Sequence, residues 1–214
     1  MTRQAHRAPA LRIRGWAIQG WIGDDFRDSL KESIQAIPDS IMERLPSLSI
    51  ILQPRFPDPD ITSRWTETEA GVEIRIATDD VSPHDGAIEI LVCAGEVLWD
   101  CLDEKQRRVW FQQLRSEIDA GVAGEIDEAS VREKRILLSS RVQASSGRRL
   151  ERYARQSFAS TAAEFCHALW HDVSVREGEG HLPAPCLRRR FELLARWFPP
   201  GRDLFAAPER AGRD

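Results

Sequence analysis

Apolar residues recur at helical spacing over most of this chain and at strand spacing over only two short stretches. Phe26, Leu30, Ile34 and Ile37 keep the step of an amphipathic helix, and Ile41 and Leu45 continue the face. Pro38 interrupts that pattern, so 25–45 is expected to form two short helices or one with a kink. Residues 48–53, LSIILQ, are apolar, rich in β-branched side chains and bounded by Pro46 and Pro54, which predicts a buried strand. The proline and aspartate content of 54–63, PRFPDPDITS, predicts a loop. Residues 72–76, VEIRI, alternate apolar and charged positions, the mark of a half-buried strand. Two strands do not make an independent sheet, so they are expected to pack on helices.

The clearest helix start follows. Ser82, Pro83 and Asp85 read as an N-cap, an N1 proline and an acid in the first turn. The helix they open, 84–102, is apolar nearly all round (Ile88, Ile90, Leu91, Val92, Cys93, Val97, Leu98, Trp99), which places it in the centre of a domain. Glu89, Glu96 and Asp100 are the exceptions, and buried acids must be paired, protonated or bound to a cation. Asp103 with Gln106 resembles a capping box and opens a helix to about residue 120. The tripeptide EID occurs on both sides of GVAG at 121–124, read as a helix end, a glycine turn and the next N-cap. Further helices are expected over 128–142, broken at Ser145, Ser146 and Gly147, and over 148–172. After a loop at 178–185, residues 186–198 carry Leu187, Phe191, Leu194, Ala195 and Phe198 on one face and stop at Pro199 and Pro200.

These elements predict an α+β class, mostly α: a helical domain with a small two- or three-stranded sheet packed on a central buried helix. A chain of 214 residues suits one domain. Its expected organisation is a basic N-terminal arm at 1–22, with Trp16 and Trp21 docking its end, a globular unit at 23–205, and a polar tail at 206–214.

Composition changes this picture little, but charge distribution adds to it. With 42% hydrophobic and 30% charged residues and a net charge of -4, the chain is neither disordered nor drawn as a whole to nucleic acid or anionic membrane. Residues 58–104 hold 13 acids and two arginines, a balance of -11, whereas 131–156 hold eight Arg/Lys and two acids, a balance of +6. The two stretches either face each other or are separately solvated, or the basic one is a docking surface for an acidic protein, with Arg148, Arg149 and Arg152 as its candidate contacts. Arg188–Arg190 reads as the polar face of an amphipathic helix; with no interleaved aromatics, nucleic acid is not expected as a partner. The four cysteines form no CxxC pair, and no apolar run reaches the ~18 residues of a membrane span, so a reducing cytoplasm, taken as bacterial, is the expected location and no membrane partner is expected.

The candidate chemistry lies in SFASTAAEFCHALWHD, 157–172. Glu164, His167 and His171 share one helical stripe, and two histidines four residues apart can reach one divalent metal with a carboxylate completing the set. Glu-x-x-His pairs also serve carboxylate-bridged metal sites in helical bundles, which would draw Glu96 or Asp100 from the central helix. The competing expectation has both histidines hydrogen-bonded at the core margin, and Glu96 and Asp100 paired with arginines such as Arg148 or Arg152. Zinc or another divalent ion is the only cofactor this pattern admits; otherwise none is expected.

One family resemblance is carried by the segment IPDSIMERLP (37–46), the strand after it, the acidic loop, the apolar central helix, the AAEF stretch at 162–165 and the helix ending in WFPP. In that order the chain resembles the minimal zinc-peptidase domains of the anthrax lethal factor type, a branch of the gluzincins. The resemblance implies that the central helix should carry HExxH and a later helix a glutamate ligand. Aligned on Gly95, that motif falls on Val92, Cys93, Ala94, Gly95 and Glu96, so only Glu96 keeps a group able to bind metal, with Glu164 in the third-ligand region. The implication is a retained scaffold without the family's proteolysis: a non-catalytic interaction or regulatory module. The alternatives are a metal-dependent hydrolase rebuilt on Glu164, His167 and His171, or a structural subunit of an oligomer.

Overall fold

A computed structural model describes residues 11–20, 23–79, 81–139, 146–171 and 180–201, with residue 146 described by its backbone alone. Within them lie five strands, β1 (Leu11–Ile13), β2 (Trp16–Gln19), β3 (Leu48–Gln53), β4 (Ser63–Thr68) and β5 (Gly71–Ala77). Seven helices accompany them: α1 (Asp24–Ala36), α2 (Asp39–Met42), α3 (Pro83–Asp100), α4 (Glu104–Asp119), α5 (Glu128–Leu138), α6 (Ser146–Trp170) and α7 (Ala184–Trp197). The class is α+β with helix predominant, as the apolar spacing implies. The sheet corrects the expectation of two or three strands, because it has five, in the order β1-β2-β3-β5-β4.

Three strands carry no strong local signal. β1 and β2 form an antiparallel hairpin in which Ile13 pairs with Trp16, within what the sequence suggests is a basic arm. The turn between them is two residues, Arg14 at φ 47 and Gly15 at φ 89, the left-handed pair that a tight hairpin needs. Arginine is an unfavourable choice there, but its guanidinium donates to the Ile34 carbonyl at 3.2 Å, to the Ile37 carbonyl, and to Asp39. The hairpin is thereby tied to the end of α1. β4 is a polar edge strand, paired on one side only, antiparallel to β5. The remaining residues of the expected arm, 1–10 and 21–22, and the tail 206–214 lie outside the described residues.

The inner strands are parallel: β2 beside β3, and β3 beside β5. One row of paired positions crosses the sheet as Leu11, Ile18, Ile50, Ile74 and Trp65. Directly opposed residues share a face, so this row defines the surface against the core. Ile50 and Ile74 are fully buried there.

α3 begins as its sequence signals predict: Ser82 Oγ accepts from the Asp85 amide at 3.1 Å and Pro83 occupies the first turn. It packs on the sheet through β4 and β5, on α1, and most extensively on α6. Trp99 and Ile90 have no exposed surface. The crossing with α6 is made at Gly95, where an added Cβ would stand 2.7 Å from the Ala159 carbonyl oxygen and 2.9 Å from its Cα. The capping box at Asp103 and Gln106 opens α4 as expected. Ser146 and Gly147, read as helix breakers, instead belong to the first turn of α6. None of the helices among the described residues is long and apolar enough to cross a membrane.

Candidate functional site

Three places could carry chemistry: the sheet-facing side of α3, a histidine cluster where α3 begins and α6 ends, and a charged cluster under α7.

On α3, Glu96 accepts a hydrogen bond from the Trp65 indole of β4 at 2.6 Å, and Glu89 accepts from Ser63 Oγ of the same strand. Burial raises the Glu96 pKa above its ordinary value; the Trp65 bond and the Arg155 charge oppose that. Cys93 is buried, and burial pushes its thiol up to about 12, far from the thiolate a nucleophile needs. Val92 is half-buried and packs on the core. Asp100 is paired with Arg155 of α6, at 2.9 Å to one guanidinium nitrogen. The expectation of an arginine partner for Asp100 therefore fits, but that arginine is neither Arg148 nor Arg152. Arg152 instead pairs with Glu133 of α5 at 3.0 Å, while Arg148 is exposed near the start of α6.

The second place contains the sequence candidates Glu164, His167 and His171, joined by a residue that local spacing does not reveal. His84, in the first turn of α3, stands with its ring centre 5.0 Å from that of His167 and 5.6 Å from that of His171. The His167 and His171 rings are 5.8 Å apart. Trp170 lies against the group, stacked on His84 at 5.2 Å and tilted on His171 at 4.4 Å, and its indole donates to Glu32 of α1 at 3.0 Å. Glu164 contacts Nδ1 of His167 at 3.3 Å. Burial, then the neighbouring His167 and His171, hold the His84 pKa below its ordinary value. His84 and His167 are half-buried and His171 is exposed, so the cluster opens to solvent. As the side chains stand, no group of three or more His, Cys, Asp or Glu among the described residues is arranged to hold a metal ion. Glu96 does not join the histidines. It lies twelve residues beyond His84 on the same helix, about 18 Å along its axis at 1.5 Å per residue.

The third place is sealed. Arg190 of α7, Lys134 of α5, Glu117 of α4 and Glu125 are all buried to 2% exposure or less. Arg190 donates to Glu117 at 3.1 Å, to Glu125 at 2.8 and 3.0 Å, and to Ser157 Oγ at 2.9 Å. Lys134 donates to Glu125 at 2.9 Å and to the Gly124 carbonyl at 3.1 Å, and the Tyr153 hydroxyl donates to Glu125 as well. Burial by itself would push Glu125 up, but the adjoining Arg190 and Lys134 charges and the bonds from Arg190 and Tyr153 hold its pKa below the ordinary value. Two buried cations face two buried carboxylates and bond across them, so the cluster is a structural clasp joining α4, α5, α6 and α7. Arg190 corrects the reading of 188–190 as one solvated run. It lies three residues after Leu187 and four before Leu194, on the apolar stripe, and that spacing is the signal that could have found it.

No family model, curated protein or solved structure matches the chain.

Proposed function

We propose that this chain is a metallopeptidase-like scaffold that works without catalysis, as a protein interaction or regulatory module. The observation that carries the reading is the state of the α3 face where the resemblance puts the peptidase motif. On that resemblance Val92 and Cys93 would stand at the positions of the first metal ligand and the base, and Glu96 is held by Trp65 at 2.6 Å. A valine cannot bind zinc, and a buried thiol pushed up to about 12 does not activate water near neutral pH. The partner would be an acidic protein, received by the basic start of α6 around Arg148, Arg149 and Arg152.

The reading is tested with purified full-length protein, zinc and a degenerate peptide library. No zinc-dependent fragment release is expected; cleavage that disappears in Glu96→Ala would overturn the non-catalytic assignment. The docking face is tested by an Arg148→Glu/Arg149→Glu/Arg152→Glu variant with unchanged thermal unfolding. It should lose the partners that the wild-type protein captures from cells that produce it. Equal capture by both proteins would remove that face from the proposal.

A further inference from the structure

We propose that His84, His167 and His171 form a three-imidazole site for a divalent transition metal of the zinc type at the joint of α3 and α6, with Glu164 as the positioning residue. The inference is independent of the scaffold reading, because the joint lies well away from Glu96.

Spacing is the first support. Imidazole nitrogens bind zinc at about 2.0–2.1 Å, and tetrahedral geometry then sets the ring centres of two such ligands about 5 Å apart. The three observed separations are 5.0, 5.6 and 5.8 Å. The ring centres have suitable separations, but the three side chains as they stand are not arranged as a ligand set. His167 is held through Nδ1 by Glu164, so His84 and His171 are the rings that turn, each about a last torsion with a broad, shallow profile. Backbone placement is the harder requirement, and helix geometry already meets it: His167 and His171 are one turn apart on α6, and α6 packs along α3.

The surroundings are those of a metal ligand set. A metal-binding histidine commonly gives its second ring nitrogen to a carboxylate, which fixes the tautomer and the ring direction. Glu164 contacts Nδ1 of His167 at 3.3 Å and leaves Nε2 for the metal. This assigns Glu164 a place behind the ligand rather than on the ion. The Trp170 indole covers one side of the cluster and is itself anchored to Glu32 at 3.0 Å. Three neutral nitrogen donors suit zinc, cobalt, nickel or copper, and do not suit calcium or magnesium, which require oxygen.

The test uses full-length protein without an affinity tag. Zinc competed against a chromophoric chelator at pH 7.5 should bind at one equivalent per chain, and cobalt should give the visible absorption of a nitrogen-ligated, four-coordinate ion. His84→Ala, and His84→Asn as a gentler second variant, should abolish both signals while far-UV circular dichroism is unchanged. Glu164→Gln should weaken zinc by about 10–100-fold. His181→Ala, away from the cluster, should bind as wild type. Sub-stoichiometric zinc in the wild-type protein, or undiminished zinc in both folded His84 variants, would overturn the site. Zinc-dependent hydrolysis lost in His84→Ala would leave the site standing and overturn the non-catalytic reading instead.

Discussion

Replacing Arg190 with methionine removes the cation that binds α7 to three other elements. The wild-type cluster balances Arg190 and Lys134 against Glu117 and Glu125, all at 2% exposure or less. Without the guanidinium, Glu117 retains a bond from Gln113 at 2.9 Å and no cation among the described residues, while Glu125 keeps Lys134 and Tyr153. Breaking a buried pair from one side costs about 3–5 kcal/mol, because a carboxylate is left in a medium that cannot solvate it. That is a large part of the ~5–15 kcal/mol by which a domain is stable. For a chain of this size each kcal/mol moves the midpoint by ~2–4 °C, so Arg190→Met should melt ~6–20 °C lower. Urea unfolding followed by tryptophan fluorescence gives the free energy directly, and Trp110, 5.7 Å from the guanidinium, supplies a local reporter. Adding Glu117→Leu to Arg190→Met should recover much of the loss, because an apolar pair of similar volume needs no counter-charge. A single variant within 1 kcal/mol of wild type, or a double variant worse than the single, would refute the electrostatic account.

Glu96→Gln should raise the melting temperature at pH 7.5. The folded pKa of Glu96 is raised above its ordinary 4.5, so its favourable contribution exists below that value and is lost as pH rises through the folded pKa; the gap between variant and wild type should close near pH 4. Glu125 has the opposite sign: its folded pKa is lowered from 4.5, so the clasp contributes above that pH and acid unfolding should set in as pH falls below it. An acid-unfolding midpoint unchanged in Arg190→Met would count against this. Gly95→Ala should destabilise by ~1–3 kcal/mol despite the helix propensity of alanine, since the new Cβ meets Ala159 backbone at 2.7 Å; a stabilised variant would show that α3 and α6 can move apart. Of the four cysteines, Cys101 is half-buried and Cys93, Cys166 and Cys186 are buried, so a thiol reagent should modify Cys101 first and all four only in denaturant.

Elements with complete local signals were readable before the fold was known. The Ser82–Pro83 start of α3, the capping box of α4, the break at Pro38 and the strand at 48–53 are all present as expected. What escaped had its cause elsewhere in the chain. β4 is polar on nearly every position because one edge and much of its surface meet water, so no alternation marks it. The Arg14–Gly15 turn carries a single glycine, and the conformation of Arg14 is supported by carbonyls about twenty residues later. At the candidate site, the pair on α6 was legible from its four-residue spacing, but His84 precedes His167 by 83 positions and joins it only through the packing of α3 on α6. The Glu-x-x-His pattern and the resemblance both draw Glu96 toward the histidines, but twelve residues of α3 separate it from His84.

The anchoring of α7 has a practical corollary. The helix reaches its neighbours through the Arg190 bonds and through a short bridge in which the Glu125 amide donates to the Gly180 carbonyl at 3.1 Å and the Leu182 amide donates to the Glu125 carbonyl at 3.0 Å. None of these ties depends on the peptide bonds between His171 and Gly180. A protein nicked there would migrate as one particle in a native gel and as two bands under denaturing conditions. The same nick in Arg190→Met, which lacks the guanidinium bonds, would let the two pieces part under native conditions.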